Sequence, residues 1–458
     1  MIYDIIIIGC GISGLNTAHQ LLSKNKNLKI LLLEKNDYLG GRIKTFTKKI
    51  NNHNYSWEEG AGRLNDNHKL LLKLIEEFGL SNNLSKINSD ITFYPSKGSV
   101  YLNNSNQFTN EYKEFINKSP FDYIKKVIKY SKKDNKENLQ KYTFKEYCRF
   151  ILNDKEIKFI LDSFGYYAQL IKMNAYNAIK LFNEGMNPNL QFYSLNPGLN
   201  IIIKKLEENI INNNGKILLN SNVNNIEYNY ITKIFGIFLE DSLFSYERRS
   251  PENSSLSTRK RSDKFIVYKS KICILAVPKP ELLKFNILNN IKNELNSINY
   301  KSLCRIYSVF KKKDIWFTDI SKCTTNNNSR YIIPIDKKNG LIMISYSDSK
   351  FADYWNKLYL TNEKIFIENL KKNIYKTFNK KIENPIYTKI SYWDCAIGFW
   401  KKNKDSRSIS NKIIHPIDYI NLFICGENYS ETQGWMEGAL ETSFEVVNKI
   451  MQLNNMIK

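Results

Sequence analysis

The sequence predicts an α/β fold, α+β overall, with a buried parallel sheet near the amino terminus. A run of four isoleucines at 5–8 leads into a glycine-rich turn at 9–14, and a helical pattern covers 12–22. A second apolar run at 28–33 ends in Glu34. Continuous apolar runs of this length are typical of parallel strands that are covered on both faces. The amino-terminal residues therefore predict a strand–helix–strand unit.

The glycine spacing in this turn predicts a Rossmann-like dinucleotide site. Gly9 permits the tight turn, Gly11 lets the backbone approach a pyrophosphate, and Gly14 lets the helix lie close to the sheet. The helix amino terminus around Ser13 offers N–H groups and the positive end of the helix dipole. Glu34 lies 20 residues after Gly14, where an acidic side chain accepts hydrogen bonds from a ribose diol. An isolated glycine turn would also fit the spacing, but the strands, helix and acid are all in register.

Further short segments, taken in chain order, resemble the flavin-containing amine oxidase family, which includes monoamine, polyamine and L-amino-acid oxidases. A Gly-Gly-Arg segment follows Lys35 too closely for another crossover helix, and a Glu-x-Gly-x-x-Arg segment ends at Arg63. Strand-like segments and a Gly-Trp-Met segment then follow in the same order as in that family. The matching segments are 39–43, 57–64, 197–199, 222–226, 271–278, 422–427 and 433–439. Their shared order is harder to obtain by chance than any one of them.

The resemblance implies FAD rather than NAD as the cofactor. It implies that the two ends of the chain carry matching halves of one cofactor site. The residues implied to bind FAD are Gly9, Gly11, Ser13, Gly14, Glu34, Lys35, Gly41, Arg42, Gly62, Arg63, Val223, Gly426, Glu427, Trp435 and Met436. Phe399 occupies the position at which monoamine oxidases attach FAD through a cysteine, while Cys395 lies elsewhere in that segment. We therefore expect a non-covalent flavin.

The resemblance also assigns the reacting end of the site. Family members hold the amine between two aromatic side chains, and the matching positions here are Trp435 and Trp400. Core packing is the alternative role for either tryptophan. A lysine that family members place near the flavin matches Arg305, with Lys301 as the fallback. An arginine stays charged and cannot relay a proton, so this match brings efficient oxidase chemistry into question.

Arg63 bears on the choice of substrate. In L-amino-acid oxidases the matching arginine binds the substrate carboxylate, a task that suits a planar guanidinium. In related enzymes it contacts the cofactor or the protein instead. Both roles remain open, because a guanidinium directed at a phosphate and one directed at a carboxylate look the same in sequence.

The leading functional hypothesis is an FAD-dependent amine oxidase. It would oxidise the C–N bond of a small-molecule amine or amino acid to an imine, and O2 would reoxidise the flavin to give H2O2. A flavin desaturase or porphyrinogen-type oxidase of an apolar substrate is one alternative, because these relatives share the nucleotide motifs. A non-catalytic flavoprotein with a structural or interaction role is another.

The strong positive charge has two explanations. The formal net charge is +23, from 68 Lys and Arg against 45 Asp and Glu, which invites a nucleic-acid partner. The basic residues are scattered among asparagines and isoleucines, and no specific nucleic-acid motif accompanies them. A bias of this kind also arises from an AT-rich genome, as in some large DNA viruses and protozoan parasites, and we favour that explanation.

Cysteine use predicts a reducing compartment. The seven cysteines are odd in number and widely spaced, so we expect reduced thiols and a cytoplasmic location, or the host cytoplasm or virion if the chain is viral. With four histidines no metal site is expected. The first predicted strand begins at Ile2, which predicts no signal peptide, and no apolar run has the length of a transmembrane segment. The sequence does not indicate the oligomeric state.

The chain length predicts two intertwined domains. We expect a discontinuous FAD-binding domain at 1–80, 196–285 and 415–458, and a substrate domain at 81–195 and 286–414. A flexible basic loop is predicted at 240–264. In the substrate domain the sequence predicts helices at 121–132, 143–160 and 363–378, and strands at 305–310, 331–335, 341–346 and 389–393.

Overall fold

The computed structural model describes residues 1–96, 110–240 and 266–456. Over these residues the strands are β1 (Ile2–Ile8), β2 (Ile30–Leu33), β3 (Thr45–Ile50), β4 (His53–Glu58), β5 (Leu64–Asn65), β6 (Leu84–Ile87), β7 (Thr92–Tyr94), β8 (Phe192–Leu195), β9 (Lys216–Leu218), β10 (Val223–Asn229), β11 (Ile234–Leu239), β12 (Ile266–Leu275), β13 (Ile298–Val309), β14 (Cys323–Thr325), β15 (Tyr331–Asp336), β16 (Leu341–Asp348), β17 (Tyr387–Trp400) and β18 (Leu422–Ile424).

The α-helices over the same residues are α1 (Ile12–Lys24), α2 (Lys69–Glu77), α3 (Pro120–Ser131), α4 (Lys136–Gln140), α5 (Phe144–Cys148), α6 (Asp154–Ser163), α7 (Ala168–Lys172), α8 (Ala175–Lys180), α9 (Asn200–Asn212), α10 (Lys279–Leu282), α11 (Lys292–Leu295), α12 (Ser349–Thr361), α13 (Glu363–Phe378), α14 (Ser406–Ile414) and α15 (Met436–Met456). None of these described helices is both long and apolar enough to cross a bilayer.

The first sheet has seven strands and a parallel centre. Its parallel part runs β9-β2-β1-β12-β18, and the β10–β11 hairpin joins the first half of β12 in antiparallel pairing. In β1, Ile5 and Ile7 belong to one core cluster while Ile6 and Ile8 belong to another. Because successive strand residues point to opposite faces, this alternation covers both sides of the sheet. Helices α1, α9 and α15 pack on the first face.

The second sheet has six strands in the order β17-β13-β16-β15-β14-β7. Its pairs are antiparallel except that of β14 with β7. Cys304 and Ile306 of β13 lie in a core cluster with residues of α12 and α13. Arg305 and Tyr307 alternate with them and line a cavity instead. Because successive side chains of β13 point to opposite faces, one face of the strand packs in the core and the other lines the cavity.

The fold class agrees with the prediction, but one predicted helix is two separate helices in the structure. The predicted helix at 363–378 is α13, and the helix at 121–132 corresponds to α3. The single helix predicted at 143–160 is wrong, because α5 ends at Cys148 and α6 begins at Asp154. Asn153 caps the new helix: its side chain accepts a hydrogen bond from the backbone N–H of Glu156, at 3.0 Å. An asparagine cap followed by an acid three residues later favours a helix start over continuation.

The seven-stranded sheet draws its strands from all three segments predicted for the FAD-binding domain. The domain boundaries themselves stay a prediction. The predicted loop at 240–264 lies outside the described residues from 241 onward.

Candidate active site

A cavity of about 1030 Å³ lies between the two sheets. This volume is at the upper end of the range for small-molecule and cofactor sites. The predicted cofactor residues on its wall are Gly9, Gly11, Ser13, Glu34, Lys35, Gly41, Arg42, Gly62, Arg63, Val223, Gly426, Glu427, Trp435 and Met436. Residues from both ends of the chain therefore meet around one space.

Glycines form a backbone cradle on this wall. A Cβ added at Gly11 or Gly426 would meet no atom within 4 Å, so both positions open into the cavity. A Cβ at Gly14 would lie 2.1 Å from the carbonyl oxygen of Gly9, and one at Gly9 would lie 2.5 Å from that of Ala276. Gly14 does not line the cavity and serves the packing of α1 against the turn. The space beside Gly11, at the amino end of α1, fits a pyrophosphate.

Glu34 occupies the end of β2 beside this turn. One of its carboxylate oxygens, Oε2, accepts a hydrogen bond from the backbone N–H of Cys10 at 2.9 Å. The other, Oε1, accepts one from the backbone N–H of Asn36 at 3.0 Å. The carboxylate is buried and fixed at the cavity wall, where its remaining lone pairs suit a ribose diol. The neighbouring Lys35 instead forms an ion pair with Glu281, at 2.8 Å.

Arg42 and Glu427 join the amino-terminal and carboxy-terminal halves of the site. The Arg42 guanidinium donates to Glu427 Oε2 at 2.8 Å and also to the carbonyl oxygen of Ala396. The backbone N–H of Gly434 donates to Glu427 Oε1 at 2.6 Å. Glu427 is buried, and these donors satisfy both of its carboxylate oxygens. The cradle, the acid on β2 and this buried pair together fit a dinucleotide with a flavin at its far end.

Trp435 lies on the cavity wall at the carboxy-terminal end of the site. Its ring is 4.7 Å from the ring of His68 and 6.4 Å from that of Phe192. Burial, together with the charge of Arg63, lowers the pKa of His68 to about 3. His68 therefore stays neutral behind Trp435 at physiological pH.

Trp400 is not brought to the cavity. Its side chain is 0% exposed and lies in the core cluster of the first sheet. Its indole N–H donates to the carbonyl oxygen of Ser430 at 3.0 Å. On the same strand, Ala396 and Ile397 line the cavity in its place. The predicted cage of two tryptophans is therefore not assembled around this space.

Arg305 lies on the cavity wall, whereas Lys301 does not. It is 7% exposed, its Nη1 donates to the carbonyl oxygen of Glu58 at 2.9 Å, and its guanidinium stacks 4.6 Å from the ring of Tyr346. Burial opposes its charge, but the neighbouring Tyr307 and Tyr346 hydroxyls hold the pKa of Arg305 above its ordinary value. The group is a permanent cation at this wall.

Three tyrosines form a wall that the sequence did not reveal. The ring of Tyr166 lies 4.8 Å from that of Tyr331 and 5.5 Å from that of Tyr346, and all three line the cavity. A Cβ at Gly165 would lie 2.3 Å from the Tyr331 ring, and this glycine has a φ of +89°. The tyrosines come from three separate segments, so no local motif indicates them.

Arg63 lies among aromatic rings rather than carboxylates. Its guanidinium is 4.5 Å from the ring centre of Phe192 and 5.7 Å from that of Trp435, and its Nη2 donates to the Tyr166 hydroxyl at 3.3 Å. Within the described residues no carboxylate forms an ion pair with it. The position leaves the guanidinium on the cavity wall between Trp435 and the tyrosines.

The thiol in the segment predicted to approach the flavin is poorly reactive. Cys395 lines the cavity, and burial is the main cause that raises its pKa to about 12. Phe399 is buried in a core cluster that is formed mainly by residues of helices α3 to α8, and it does not line the cavity. Within the described residues no cluster of metal-ligating side chains is found.

Comparison with known proteins gives one family and one fold. The family model for flavin containing amine oxidoreductases matches residues 12–451. A probable flavin-containing monoamine oxidase A of Dictyostelium discoideum is 34% identical over 79 residues, which cover 17% of this chain and 16% of that protein. An uncharacterized protein of Acanthamoeba polyphaga mimivirus is 20% identical over 97% of this chain and 93% of its own length.

Solved structures of putrescine oxidase share the fold. The wild-type enzyme bound to putrescine superposes with a TM-score of 0.71 at 14% identity, over 99% of each chain. A single-substitution variant gives a TM-score of 0.73 at 13% identity, again over 99% of each chain.

Proposed function

Because the chain belongs to the flavin-containing amine oxidoreductase family, we propose that it is an FAD-dependent amine oxidase. It oxidises the C–N bond of an amine or amino acid to an imine, with O2 as the final electron acceptor and H2O2 as a product. The observation that carries the proposal is the single cavity that has a glycine cradle at one end and Trp435, Arg305 and the tyrosines at the other.

The chain's own groups support non-covalent binding of FAD. The open space at Gly11 and Gly426 would receive the pyrophosphate, and Glu34 would accept hydrogen bonds from the ribose. Val223, at the start of β10, lines the same cavity and would contact the adenine end of FAD. With Phe399 buried in the core, no thiol occupies the family's attachment position. When bound, FAD supplies the two-electron acceptor.

The residues at the substrate end of the cavity support oxidation of an amine that is bound in its neutral form. A hydride leaves the α-carbon and a proton leaves the nitrogen, so the nitrogen lone pair must be free. Arg305 and Arg63 make the local potential positive, and a nearby cation lowers the pKa of a bound ammonium. Trp435 and the tyrosine rings exclude water and orient the amine. Arg305 cannot accept the amine proton, so that proton leaves to solvent.

Arg305 also favours a second candidate function. A flavoprotein that keeps FAD for a structural or interaction role would tolerate a permanent cation where other family members have a lysine. Thermal stabilisation by FAD does not separate the two functions, because any ligand that binds the native state stabilises it.

The cysteines support a reducing compartment such as the cytoplasm. All seven are buried and unpaired in the structure. Disulfides are rare where glutathione and thioredoxin keep thiols reduced.

The decisive experiment is the visible spectrum of the purified protein under anaerobic conditions, with pooled monoamines, polyamines and amino acids added in turn. Bleaching of the flavin band by one pool, followed by recovery and H2O2 formation on admission of air, is the expected result. A flavin band that no pool bleaches would favour the non-catalytic function or an apolar substrate. Protein that carries no flavin would overturn the proposal at its first step.

A further inference from the structure

A second cavity of about 500 Å³ adjoins the first. The two share Arg63, Tyr166, Met186, Lys322 and Tyr331 on their walls. None of the glycines of the cofactor cradle lines the second cavity. It therefore extends the substrate end of the site away from the nucleotide.

Seven of the 22 described residues that line the second cavity are aromatic. Phe93 on β7, Phe164 after α6 and Phe192 on β8 are buried side chains on this wall, with Phe121 in the first turn of α3. These rings come from four separate segments of the chain. A flat apolar group would fit between them, because aromatic rings gain from edge and face contacts with one another.

The charges on this wall are mainly positive. Among the described lining residues the cations are Arg63, Lys118 and Lys322, and the single acid is Asp90, which is exposed. Arg63 already contacts Phe192, Trp435 and the Tyr166 hydroxyl. A second ammonium group on a substrate would meet like charge here.

Lys322 is a cation without a side-chain partner among the described residues. It lies just before β14, lines both cavities, and makes no side-chain hydrogen bond or ion pair with any residue that the structure describes. Burial, together with the charge of Arg63, lowers the pKa of Lys322 to about 7, against the opposing effect of Asp90. Lys322 is partly buried, and a partly desolvated amine without a counter-charge is unfavourable, so a bound anion would reduce that penalty.

We propose that the second cavity binds the far end of the substrate, an aromatic tail that ends in a carboxylate held by Lys322. This inference rests on the proposed amine oxidation, because it assigns the end of the same substrate that does not react. It is distinct from a carboxylate on the reacting carbon, for which Arg63 is the candidate. It disfavours diamines and polyamines, whose second ammonium would face Arg63 and Lys322.

The test compares matched amines on the FAD-loaded protein. The probes are 4-(2-aminoethyl)benzoate and 3-[4-(aminomethyl)phenyl]propanoate, each beside its neutral carboxamide. In the unmodified protein we expect the acids to show KM values at least tenfold below those of the amides. Lys322→Met should abolish this preference by raising the KM values of the acids to those of the amides. Lys322→Arg should keep the preference, and Lys118→Met is the control for loss of a cation on the same wall.

A binding measurement decides the inference without turnover. The dissociation constants of 3-phenylpropanoate and its amide are taken from the flavin difference spectrum of each variant. Tighter binding of the acid that is lost only in Lys322→Met supports the inference even if no amine reduces the flavin, which would count against the proposed function alone. Equal binding of acid and amide in the unmodified protein, or a preference that survives in Lys322→Met, would overturn the inference.

Discussion

Gly11 and Gly14 lie in the same turn but meet different surroundings. A side chain at Gly11 would project into the cavity, and a side chain at Gly14 would collide with the backbone at Gly9. The open space at Gly11 suits the predicted cofactor role, whereas the contact at Gly14 suits a packing role. The sequence predicted both roles, because each follows from the backbone geometry of the strand–turn–helix unit.

We predict that Gly11→Val yields folded protein that has lost at least nine-tenths of its flavin, because the valine occupies the space of the pyrophosphate. Gly14→Val should instead accumulate as insoluble protein. The measurements are the flavin-to-protein absorbance ratio and the far-ultraviolet circular dichroism spectrum of the soluble fraction. Full flavin occupancy in Gly11→Val would show that the phosphate site is misplaced.

The two tryptophans should respond differently to replacement. Trp400 is fully buried and bonded to Ser430, so Trp400→Ala should cost about 3–5 kcal/mol of unfolding free energy. Trp435 faces the cavity, so Trp435→Ala should lower the flavin reduction rate by about tenfold to a hundredfold through loss of substrate orientation. Urea unfolding and anaerobic stopped-flow absorbance measure the two effects. A normal reduction rate in Trp435→Ala would remove this tryptophan from the substrate site.

The role of Arg63 is tested by whether its replacement raises KM for amino acids alone or for simple amines as well. If it binds a carboxylate on the reacting carbon, Arg63→Ala should raise KM for amino acids by about tenfold to a hundredfold and leave KM for simple amines nearly unchanged. Steady-state rates with each matched amino acid and its decarboxylated amine give the comparison. An equal loss on both would assign Arg63 to the packing of Phe192 and Trp435.

At the scale of elements, the turn between α6 and α7 carries Tyr166 into the site. Arg330, before β15, donates to the carbonyl oxygens of Leu161, Asp162 and Gly165 at 2.8–3.3 Å. A cation at this position also suits the negative end of the α6 dipole. At the other side of the turn, the Asp348 carboxylate accepts from the backbone N–H groups that begin α7. Two buried charges thus fix a turn that has little regular structure of its own.

We predict that Arg330→Met destabilises the protein by about 3 kcal/mol, because several buried carbonyls lose their donors. Arg330→Lys should recover little of the loss, since one ammonium cannot replace the guanidinium fork. Urea unfolding measures the stability, and the flavin reduction rate reports the displacement of Tyr166. Wild-type stability in both variants would mean that the turn is held by its other contacts.

Hydrophobic periodicity predicted where helices lie better than it predicted the breaks between them. The helix at 363–378 has one continuous apolar face and was predicted over its full length. The pattern at 143–160 keeps the same periodicity through a break that only the Asn153 cap reveals. Hydrophobic periodicity indicates which face of a helix is buried. It does not indicate whether the backbone remains helical between two successive periodic stretches.

At the scale of the whole molecule, the cofactor cavity lies where the two sheets meet. The Arg42 guanidinium pairs with Glu427, which follows β18 of the first sheet, and the Trp393 indole N–H of β17 in the second sheet donates to the carbonyl oxygen of Glu59, just after β4, at 2.8 Å. The nucleotide residues were predictable because they share motifs with short, ordered spacings. The tyrosines and Lys322 come from distant segments, and only the assembled sheets bring them together.

We predict that removal of flavin lowers the unfolding temperature and that added FAD restores it in a concentration-dependent way. Ligand at about a thousand times its dissociation constant stabilises the native state by about 4 kcal/mol. Scanning calorimetry of the flavin-free protein, titrated with FAD and with free riboflavin as the control, measures the effect. No dependence on FAD concentration would mean that the cavity does not bind the nucleotide.

The buried thiols bear on how long such a molecule would remain active. Cys395 and Cys425 line the cavity in which hydrogen peroxide would form, and peroxide attacks the thiolate rather than the thiol. Burial raises the pKa of Cys395 to about 12 and that of Cys425 to about 11, so at neutral pH fewer than about one in a thousand of either is ionised. If the proposed oxidase reaction forms peroxide in this cavity, the packing that encloses the site would also protect its thiols from that peroxide.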